Sequence, residues 1–318
     1  MTELCIAPIL RALDRWQAQL PTAPEPMLSG MLVRAVGMLL EAKGCQAPVG
    51  GLCKVTTAAG EHVLAEVIGF RDDHLLLTPL HSAEGFSVGG AVVPCGQGLQ
   101  LPIGLGLIGR TISALGEPLD GLGPLQNVAL QPVQFTKINP LSRPPIKAVL
   151  DVGIRAINGL LTVGRGQRIG LFAGSGVGKS VLLGMMARNT DADIIVVGLI
   201  GERGREVKEF IDEILGPEGL KKAVVVVAPA DDPAMLRLYG ARTATLIAEL
   251  FRAQGKHVLL LMDSLTRYAQ AQREISLAAG EPPATKGYTP SVFAKLPALV
   301  ERAGTDGKSG GSITGFYT

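Results

Sequence analysis

The sequence has few cysteines and few aromatic residues. Only 4 of its 318 residues are cysteine, aromatic residues make up 4%, and there is a single tryptophan. Cys5, Cys45, Cys53 and Cys95 form no Cys-x-x-Cys pair, which argues against a structural zinc site and against a small domain held by disulfides. We therefore expect reduced thiols in a cytoplasmic protein.

The sequence also lacks an excess of charge and a long hydrophobic run. Lys and Arg total 30 against 28 acidic residues, a net charge of +2, so the composition gives no reason to expect nucleic acid or an anionic membrane as the main partner. No apolar run approaches the roughly 20 residues that span a bilayer. Charged residues interrupt the N-terminal segment, so it does not resemble a signal peptide.

The N-terminal segment shows the periodicity of an amphipathic helix. We assign residues 1–25 to this helix, and two interpretations stay open. Its apolar face packs on the chain's own domain, or it docks a partner protein. The residues of that face are Ile9, Leu13, Trp16 and Leu20.

Residues 26–98 are predicted to form a small β-barrel domain. Short alternating or apolar runs are separated there by turns such as Ala59-Gly60 and Gly89-Gly90, which is typical of an all-β unit. A stretch rich in Gly and Pro follows, from Gly96 to Pro145. We interpret it as the crossover into the next domain and place the boundary near Gly98.

Residues 99–318 are predicted to form an α/β domain with a mostly parallel sheet. From about Asp151 onward, apolar strand candidates alternate with helical patterns, which is typical of a parallel sheet covered by helices. The sequence stops within the apolar run Ile313 to Thr318. We therefore expect the chain to be a piece of a longer protein.

A glycine-rich loop between a strand candidate and a helical segment is the most specific motif. Glycines let backbone N–H groups curl around phosphate oxygens, where a Cβ would block the approach. Lys179 is placed to reach the β and γ phosphates, and Ser180 offers its hydroxyl to Mg²⁺. Ala173 stands where the usual pattern has its first Gly. We predict an ATP and Mg²⁺ site formed by Ala173, Gly174, Ser175, Gly176, Val177, Gly178, Lys179, Ser180 and Val181.

A carboxylate ends the apolar strand candidate His257 to Met262, in the form of a Walker B segment. We predict that this residue, Asp263, holds Mg²⁺ through water, together with Ser180. Taken alone, Asp263 followed by Ser264 also fits a strand end and the N-cap of the next helix. The glycine-rich loop upstream favours the metal interpretation, because bound Mg²⁺ needs an acidic second support.

A second carboxylate, Glu202, follows the apolar run Ile194 to Ile200. Hydrolysis requires a group that orients water for in-line attack on the γ phosphorus, and Glu202 is the best-placed carboxylate for that role. We group Glu202, Lys179 and Arg203 as the predicted catalytic residues. The alternative is that Glu202 and Arg203 form only a surface ion pair.

Longer phrases of the sequence carry a family resemblance. They resemble the catalytic subunits of the rotary ATPases and their hexameric relatives in type III protein export, and most nearly the flagellum-specific export ATPase. Thr289 departs from that pattern, where a Pro is more usual. The match is weak in residues 1–100 and specific from about 150 to 318. The phrases are Arg155 to Leu161, Gly164 to Gly170, Val196 to Glu206, Asp263 to Ala269, Gly280 to Tyr288, Pro290 to Phe293 and Leu296 to Gly304.

The resemblance implies a β-barrel followed by a RecA-like P-loop NTPase domain, in a homo-hexamer with ATP sites between subunits. It implies an ATPase that couples hydrolysis to the export of flagellar proteins, with export chaperones and substrates as partners. The resemblance also implies that the ATPase lies at the cytoplasmic face of the inner membrane, near the membrane export gate. A stator-like regulatory protein is the implied partner of the N-terminal helix.

In that family the site is completed by an arginine of the neighbouring subunit and by aromatic residues around the adenine. By resemblance, all of these lie beyond Thr318. We therefore expect this chain alone to bind phosphates and Mg²⁺ but to turn over weakly.

Three other functions stay open at this point. A virulence type III secretion ATPase would share every catalytic residue. An RNA translocase of the Rho type has a similar P-loop and Asp-Ser-x-Thr-Arg segment, but its barrel needs basic and aromatic residues, and residues 30–98 offer only Phe70 and Phe86 as aromatics. A non-catalytic nucleotide-binding subunit would usually have lost Lys179 or Glu202, and both are present.

Overall fold

The computed structural model describes residues 28–82, 84–96, 98–133, 139–174 and 176–318. The partner-docking helix predicted for residues 1–25 lies outside the described residues, with Ile9, Leu13, Trp16 and Leu20. Ser175 of the glycine-rich loop lies outside them as well. The assignments made for these positions stay predictions.

The first part of the described chain forms a closed barrel of six strands. The strands are β1 (Gly30–Val36), β2 (Leu39–Lys43), β3 (Leu52–Thr56), β4 (His62–Arg71), β5 (His74–Pro79) and β6 (Ala91–Pro94). They pair antiparallel in the order β1-β2-β5-β4-β3-β6, and β6 closes the barrel on β1. Alternate side chains point inward, and Leu32, Leu40, Val55 and Val67 are fully buried there. The predicted barrel is confirmed.

The stretch rich in Gly and Pro contains strands that the sequence did not predict. β7 (Gln100–Ile103) pairs antiparallel with β9 (Ala129–Pro132), while β8 (Thr111–Ser113) pairs parallel with the later strand Ala223–Ala228. Three residues are too short to show a periodicity, so only the tertiary pairing defines β8 as an edge strand of the large sheet. Beside it, the Arg110 guanidinium donates two hydrogen bonds to the Asp120 carboxylate, at 2.7 and 2.8 Å.

The rest of the chain forms a mostly parallel sheet. Its further strands are β10 (Arg168–Gly170), β11 (Ile194–Ile200), β12 (Ala223–Ala228), β13 (His257–Asp263), β14 (Gly304–Thr305) and β15 (Ser312–Tyr317). The order is β10-β15-β13-β11-β12-β8 with parallel neighbours, and β14 lies antiparallel on β15. The central strands are continuous apolar runs because both faces of the sheet are covered. The predicted α/β fold is confirmed.

Helices cover both faces of this sheet. Helix α5 (Ala234–Ala253) is the longest of the described helices, and it buries Leu238, Ile247 and Phe251 in one hydrophobic cluster with the sheet. Helix α2 (Lys179–Asn189) buries Leu183 and Met186 in a second cluster. The helices are α1 (Arg155–Leu160), α2 (Lys179–Asn189), α3 (Gly204–Glu209, continued by a π-helical segment Phe210–Leu215), α4 (Gly216–Leu220), α5 (Ala234–Ala253), α6 (Leu265–Ala278) and α7 (Pro290–Val300).

The barrel packs directly on the α/β unit. Leu52 and Leu80 of the barrel belong to the same hydrophobic cluster as Met235 and Leu238 of α5. Arg71 of β4 donates a hydrogen bond of 3.3 Å to the carbonyl of Ala279, at the end of α6. Apolar burial and polar contacts therefore both join the two units.

The carboxyl ends of β11, β13 and β15 lie side by side at one edge of the sheet, because these strands are parallel neighbours. Register pairs Leu199 with Asp263 and Met262 with Tyr317. Residues that follow these strands are thereby gathered at one edge, where α/β proteins commonly bind ligands. Among the described helices, none combines the length and the apolar character needed to cross a bilayer.

Candidate nucleotide-binding and catalytic site

The glycine-rich loop connects β10 to α2. Gly176 and Gly178 adopt φ angles of 79° and 87°, in the left-handed region that side chains with a Cβ rarely adopt. A Cβ built on Gly174, Gly176 or Gly178 would meet no atom of the described residues within 4 Å. Packing against the described part of the chain therefore does not require glycine at these positions. The glycines leave an open cradle beside the first N–H groups of α2, which suits a bound polyphosphate.

Lys179 is the first residue of α2, and its ammonium points at Asp263. The Nζ atom lies 3.6 Å from Asp263 Oδ1, with 27% of the lysine side chain exposed and 4% of the aspartate side chain. Helix α2 and strand β13 thus place a cation and a buried carboxylate together, although the two residues are far apart in sequence. The lysine side chain stays partly exposed, so its ammonium is not fully covered by the protein.

Asp263 is held by the strand end and by a neighbouring hydroxyl. Thr318 Oγ1 donates a hydrogen bond of 2.5 Å to Asp263 Oδ1. The next residue, Ser264, caps α6 by accepting a hydrogen bond from the Arg267 backbone N–H at 3.3 Å. The two interpretations of this segment therefore fall on different residues: Ser264 caps the helix, while Asp263 lies beside Lys179.

Glu202 follows β11 through a tight turn at Gly201. The turn is fixed on both sides, because Gly201 N–H donates to Ala228 at 2.6 Å and Glu202 C=O accepts from Ala230 at 2.9 Å. Burial, then the charge of Asp263, then a hydrogen bond with Glu206 raise the pKa of Glu202 to about 7, against the opposing charge of Arg267. A carboxyl with such a pKa can accept a proton near neutral pH.

Arg203 does not pair with Glu202. Its guanidinium lies 3.5 Å from Glu206 Oε1, and 83% of its side chain is exposed. The sequence allowed an ion pair between Glu202 and Arg203. In the structure Arg203 pairs instead with Glu206, three residues further along the chain. A catalytic role for Arg203 stays a prediction.

Two further residues of the site were not singled out from the sequence. Thr318 contacts Asp263 as described. Arg267 packs so close to the turn that a Cβ on Gly201 would lie 2.6 Å from two of its side-chain atoms. Arg267 lies within the phrase Asp263 to Ala269, which carried the family resemblance, but nothing local in the sequence shows that it faces Glu202.

The donor set fits Mg²⁺ bound together with nucleotide phosphates. In the described part of the chain, no group of three His, Cys, Asp or Glu side chains could hold a metal on its own. Mg²⁺ typically keeps several waters and uses one or two protein oxygens plus substrate phosphates. Ser180 at the start of α2 and Asp263 at the end of β13 supply such oxygens beside the glycine cradle.

Comparison with known proteins identifies the family of this chain. The model of the ATP synthase alpha/beta family, nucleotide-binding domain, matches residues 153–318. A flagellum-specific ATP synthase of Pseudomonas aeruginosa is 60% identical over 311 residues, which cover 97% of this chain and 69% of that protein. The flagellum-specific ATP synthase of Salmonella typhimurium is 58% identical over 319 residues, with 97% and 70% covered.

A solved structure is similar as well. The assembled ATPase EscN of the enteropathogenic E. coli type III secretion system is 44% identical and superimposes with a TM-score of 0.85, covering 91% of this chain and 69% of EscN. The comparisons do not favour the Rho-type alternative. The chain therefore belongs to the ATP synthase alpha/beta family of ATP hydrolases, and its relatives include flagellum-specific ATP synthases and a type III secretion ATPase.

Proposed function

We propose that this chain couples Mg²⁺-dependent ATP hydrolysis to protein export through a flagellar type III apparatus. The observation that carries the proposal is the convergence of Lys179, Asp263 and Glu202 at one sheet edge beside an open glycine cradle. A cation, a metal-supporting carboxylate and a carboxyl able to take a proton are the parts that phosphoryl transfer to water requires.

In the proposed reaction, the glycine loop and Lys179 hold the β and γ phosphates and offset their charge. Glu202 orients a water for in-line attack on the γ phosphorus and takes its proton as the new P–O bond forms and the bond to ADP breaks. When bound, Mg²⁺ would neutralise charge on the phosphate oxygens. Ser180 and Asp263 would hold it, the latter through water.

The flagellar assignment rests on the degree of similarity. The flagellum-specific relatives are 60% and 58% identical to this chain, whereas EscN, of a type III secretion system of a pathogen, is 44% identical. Catalytic residues alone do not separate the two systems, because both systems hydrolyse ATP by the same chemistry.

We further propose a homo-hexamer with sites between subunits, located at the cytoplasmic face of the inner membrane. EscN is known as an assembled ATPase and in complex with its central stalk EscO, which supports an oligomer with a stalk partner here. The exposed Phe172, Val177 and Val181 around the glycine loop are suited to face a neighbouring subunit. A stator-like protein on residues 1–25, export chaperones and the export gate complete the proposed partners.

The experiment that tests the proposed chemistry is Glu202→Gln. We expect nucleotide binding to persist while turnover falls by about 100-fold or more, the range for loss of a positioned acid or base. ATP affinity and phosphate release would be measured side by side, with Glu213→Gln, an exposed carboxylate after α3, as the matched control. Normal turnover by Glu202→Gln would remove Glu202 from the mechanism.

The export role is tested in a bacterium that lacks its own flagellum-specific ATP synthase. The unaltered chain is expected to restore secretion of flagellar proteins and motility, and Glu202→Gln is expected not to. Hydrolysis in vitro without any restored export would argue for the virulence system or another export substrate class.

A further inference from the structure

Asp263 is a buried carboxylate whose orientation is fixed by a side chain at the end of the neighbouring strand. Thr318 Oγ1 donates to Asp263 Oδ1 at 2.5 Å, and the two residues are 5% and 3% exposed. Lys179 Nζ approaches the same oxygen at 3.6 Å. Both of these contacts engage Oδ1, so the second carboxylate oxygen, Oδ2, is not used by either of them.

The backbone of Thr318 is hydrogen-bonded to residues before and after Asp263. Its N–H donates to the carbonyl of Met262 at 3.1 Å, and its carbonyl accepts from the N–H of Leu265 at 2.8 Å. Met262 precedes Asp263, and Leu265 begins α6. The hydroxyl is therefore placed by backbone hydrogen bonds, and little further side-chain entropy is lost in holding it against Asp263.

Among the described residues, Thr318 is the side chain that donates a hydrogen bond to Asp263. The neighbouring Ser264 hydroxyl lies at the cap of α6, where it accepts the N–H of Arg267. The charge of Glu202 repels that of Asp263, as the raised pKa of Glu202 reflects. Without a neutral donor on Oδ1, repulsion from Glu202 and attraction to Lys179 would set the orientation of the carboxylate.

We propose that Thr318 is a positioning residue: its hydroxyl binds Asp263 Oδ1 and holds the carboxylate in an orientation that would let it support a Mg²⁺ ion bound with nucleotide. A neutral hydroxyl suits this purpose, because it orients the carboxylate without cancelling the charge that attracts the metal. The inference rests on the proposed function, since it assigns Asp263 to Mg²⁺, and it adds a residue that glycine-loop and strand-end motifs do not include.

The test compares Thr318→Val with Thr318→Ser in the full chain. Valine keeps the shape and removes the hydroxyl, whereas serine keeps it. Binding of a fluorescent ATP analogue would be measured in EDTA and along a Mg²⁺ titration. For Thr318→Val we expect unchanged affinity in EDTA and an apparent Mg²⁺ affinity about tenfold weaker, the lower end of the range for outer contacts of metal ligands. Thr318→Ser is expected to restore the value of the unaltered chain.

The matched control is Thr314→Val, on the same strand. Thr314 is as buried as Thr318 and accepts a hydrogen bond of 2.9 Å from the Gly166 N–H, away from the site. The Thr314→Val variant is expected to have a lower free energy of unfolding but an unchanged Mg²⁺ titration. Should Thr318→Val fail to fold, Thr318→Ala carries the same expectation.

Two results would overturn the inference. One is a Mg²⁺ titration of Thr318→Val that matches the unaltered chain. The other is an equal loss of affinity in EDTA and in Mg²⁺, which would indicate a purely structural role. The test measures binding, so its result can be told apart from a test of the proposed function. An unaltered chain that binds Mg²⁺ and nucleotide but shows no hydrolysis or export would contradict the proposed function and leave the role of Thr318 intact.

Discussion

The phenolic hydroxyl of Tyr239, on α5, donates a hydrogen bond to the carboxylate of Glu66, on β4 of the barrel. The two side chains are 3% and 8% exposed. Burial raises the pKa of Glu66, while the charges of Arg242 and Lys295 oppose that shift. A titratable group of the barrel is thus enclosed by helices of the α/β unit, and this polar contact supplements the apolar packing that joins the two.

Tyr239→Phe is expected to destabilise the protein. The variant keeps the ring but leaves the buried Glu66 carboxyl without its donor, which costs about 1–3 kcal/mol of unfolding free energy. Urea unfolding of the single variants, and of Tyr239→Phe combined with Glu66→Leu, would measure the coupling. If the double variant is no more stable than the sum of the two single losses predicts, the hydrogen bond does not link the barrel to α5.

Lys179→Ala is expected to weaken nucleotide binding by about 10- to 100-fold, since a hydrogen bond to a charged group contributes roughly 1.5–3 kcal/mol. It also removes the cation beside Asp263. Binding of a fluorescent ATP analogue measures the change. Lys221→Ala is the control, because Lys221 forms an exposed ion pair with Glu218 and its loss is expected to leave affinity unchanged. Full affinity in Lys179→Ala would contradict the assignment of the loop.

Gly201→Ala is expected to disturb both stability and turnover. Gly201 has a φ of 71°, and an added Cβ would lie 2.6 Å from the Arg267 side chain. The strained backbone and the displaced arginine together cost about 1–3 kcal/mol, and Glu202 shifts with the turn. Gly204→Ala is the control, because its Cβ would meet nothing within 4 Å. Equal unfolding free energies and equal turnover for the two variants would show that the turn tolerates a side chain.

Glu202→Gln is expected to remove a pH dependence of stability. The pKa of Glu202 is about 7 in the folded protein, whereas a Glu in the unfolded chain has a pKa of about 4.3. Stability of the unaltered chain therefore falls as pH rises through this window. Above it, the glutamine variant should be the more stable, by a margin on the order of 1 kcal/mol because solvent partly screens the charge.

The measurement is urea unfolding in EDTA without nucleotide at a series of pH values, since ligands that bind only the folded state would mask the effect. Curves that stay parallel for the variant and the unaltered chain from acid to alkaline pH would rule out a raised pKa for Glu202.

Local sequence patterns already predicted the barrel, the α/β fold and the glycine loop. An inward-facing alternation makes a barrel strand, and a continuous apolar run such as Ile194 to Ile200 makes a strand buried on both faces. The left-handed angles of Gly176 and Gly178 follow from the loop's own residues. Each of these features depends on neighbours along the chain, so the sequence contains the signal.

Other features came only from tertiary structure, because their partners are distant in sequence and carry no local signature. β8 is a strand only because β12 offers it an edge. Thr318 reaches Asp263 across 55 positions, and Tyr239 reaches Glu66 across 173. The sequence by itself was enough to predict a phosphate site between a strand and a helix. The tertiary structure decided which residues surround Asp263 and Glu202, because the parallel register brings the strand ends together. It also decided how the barrel is attached, because α5 packs against the barrel.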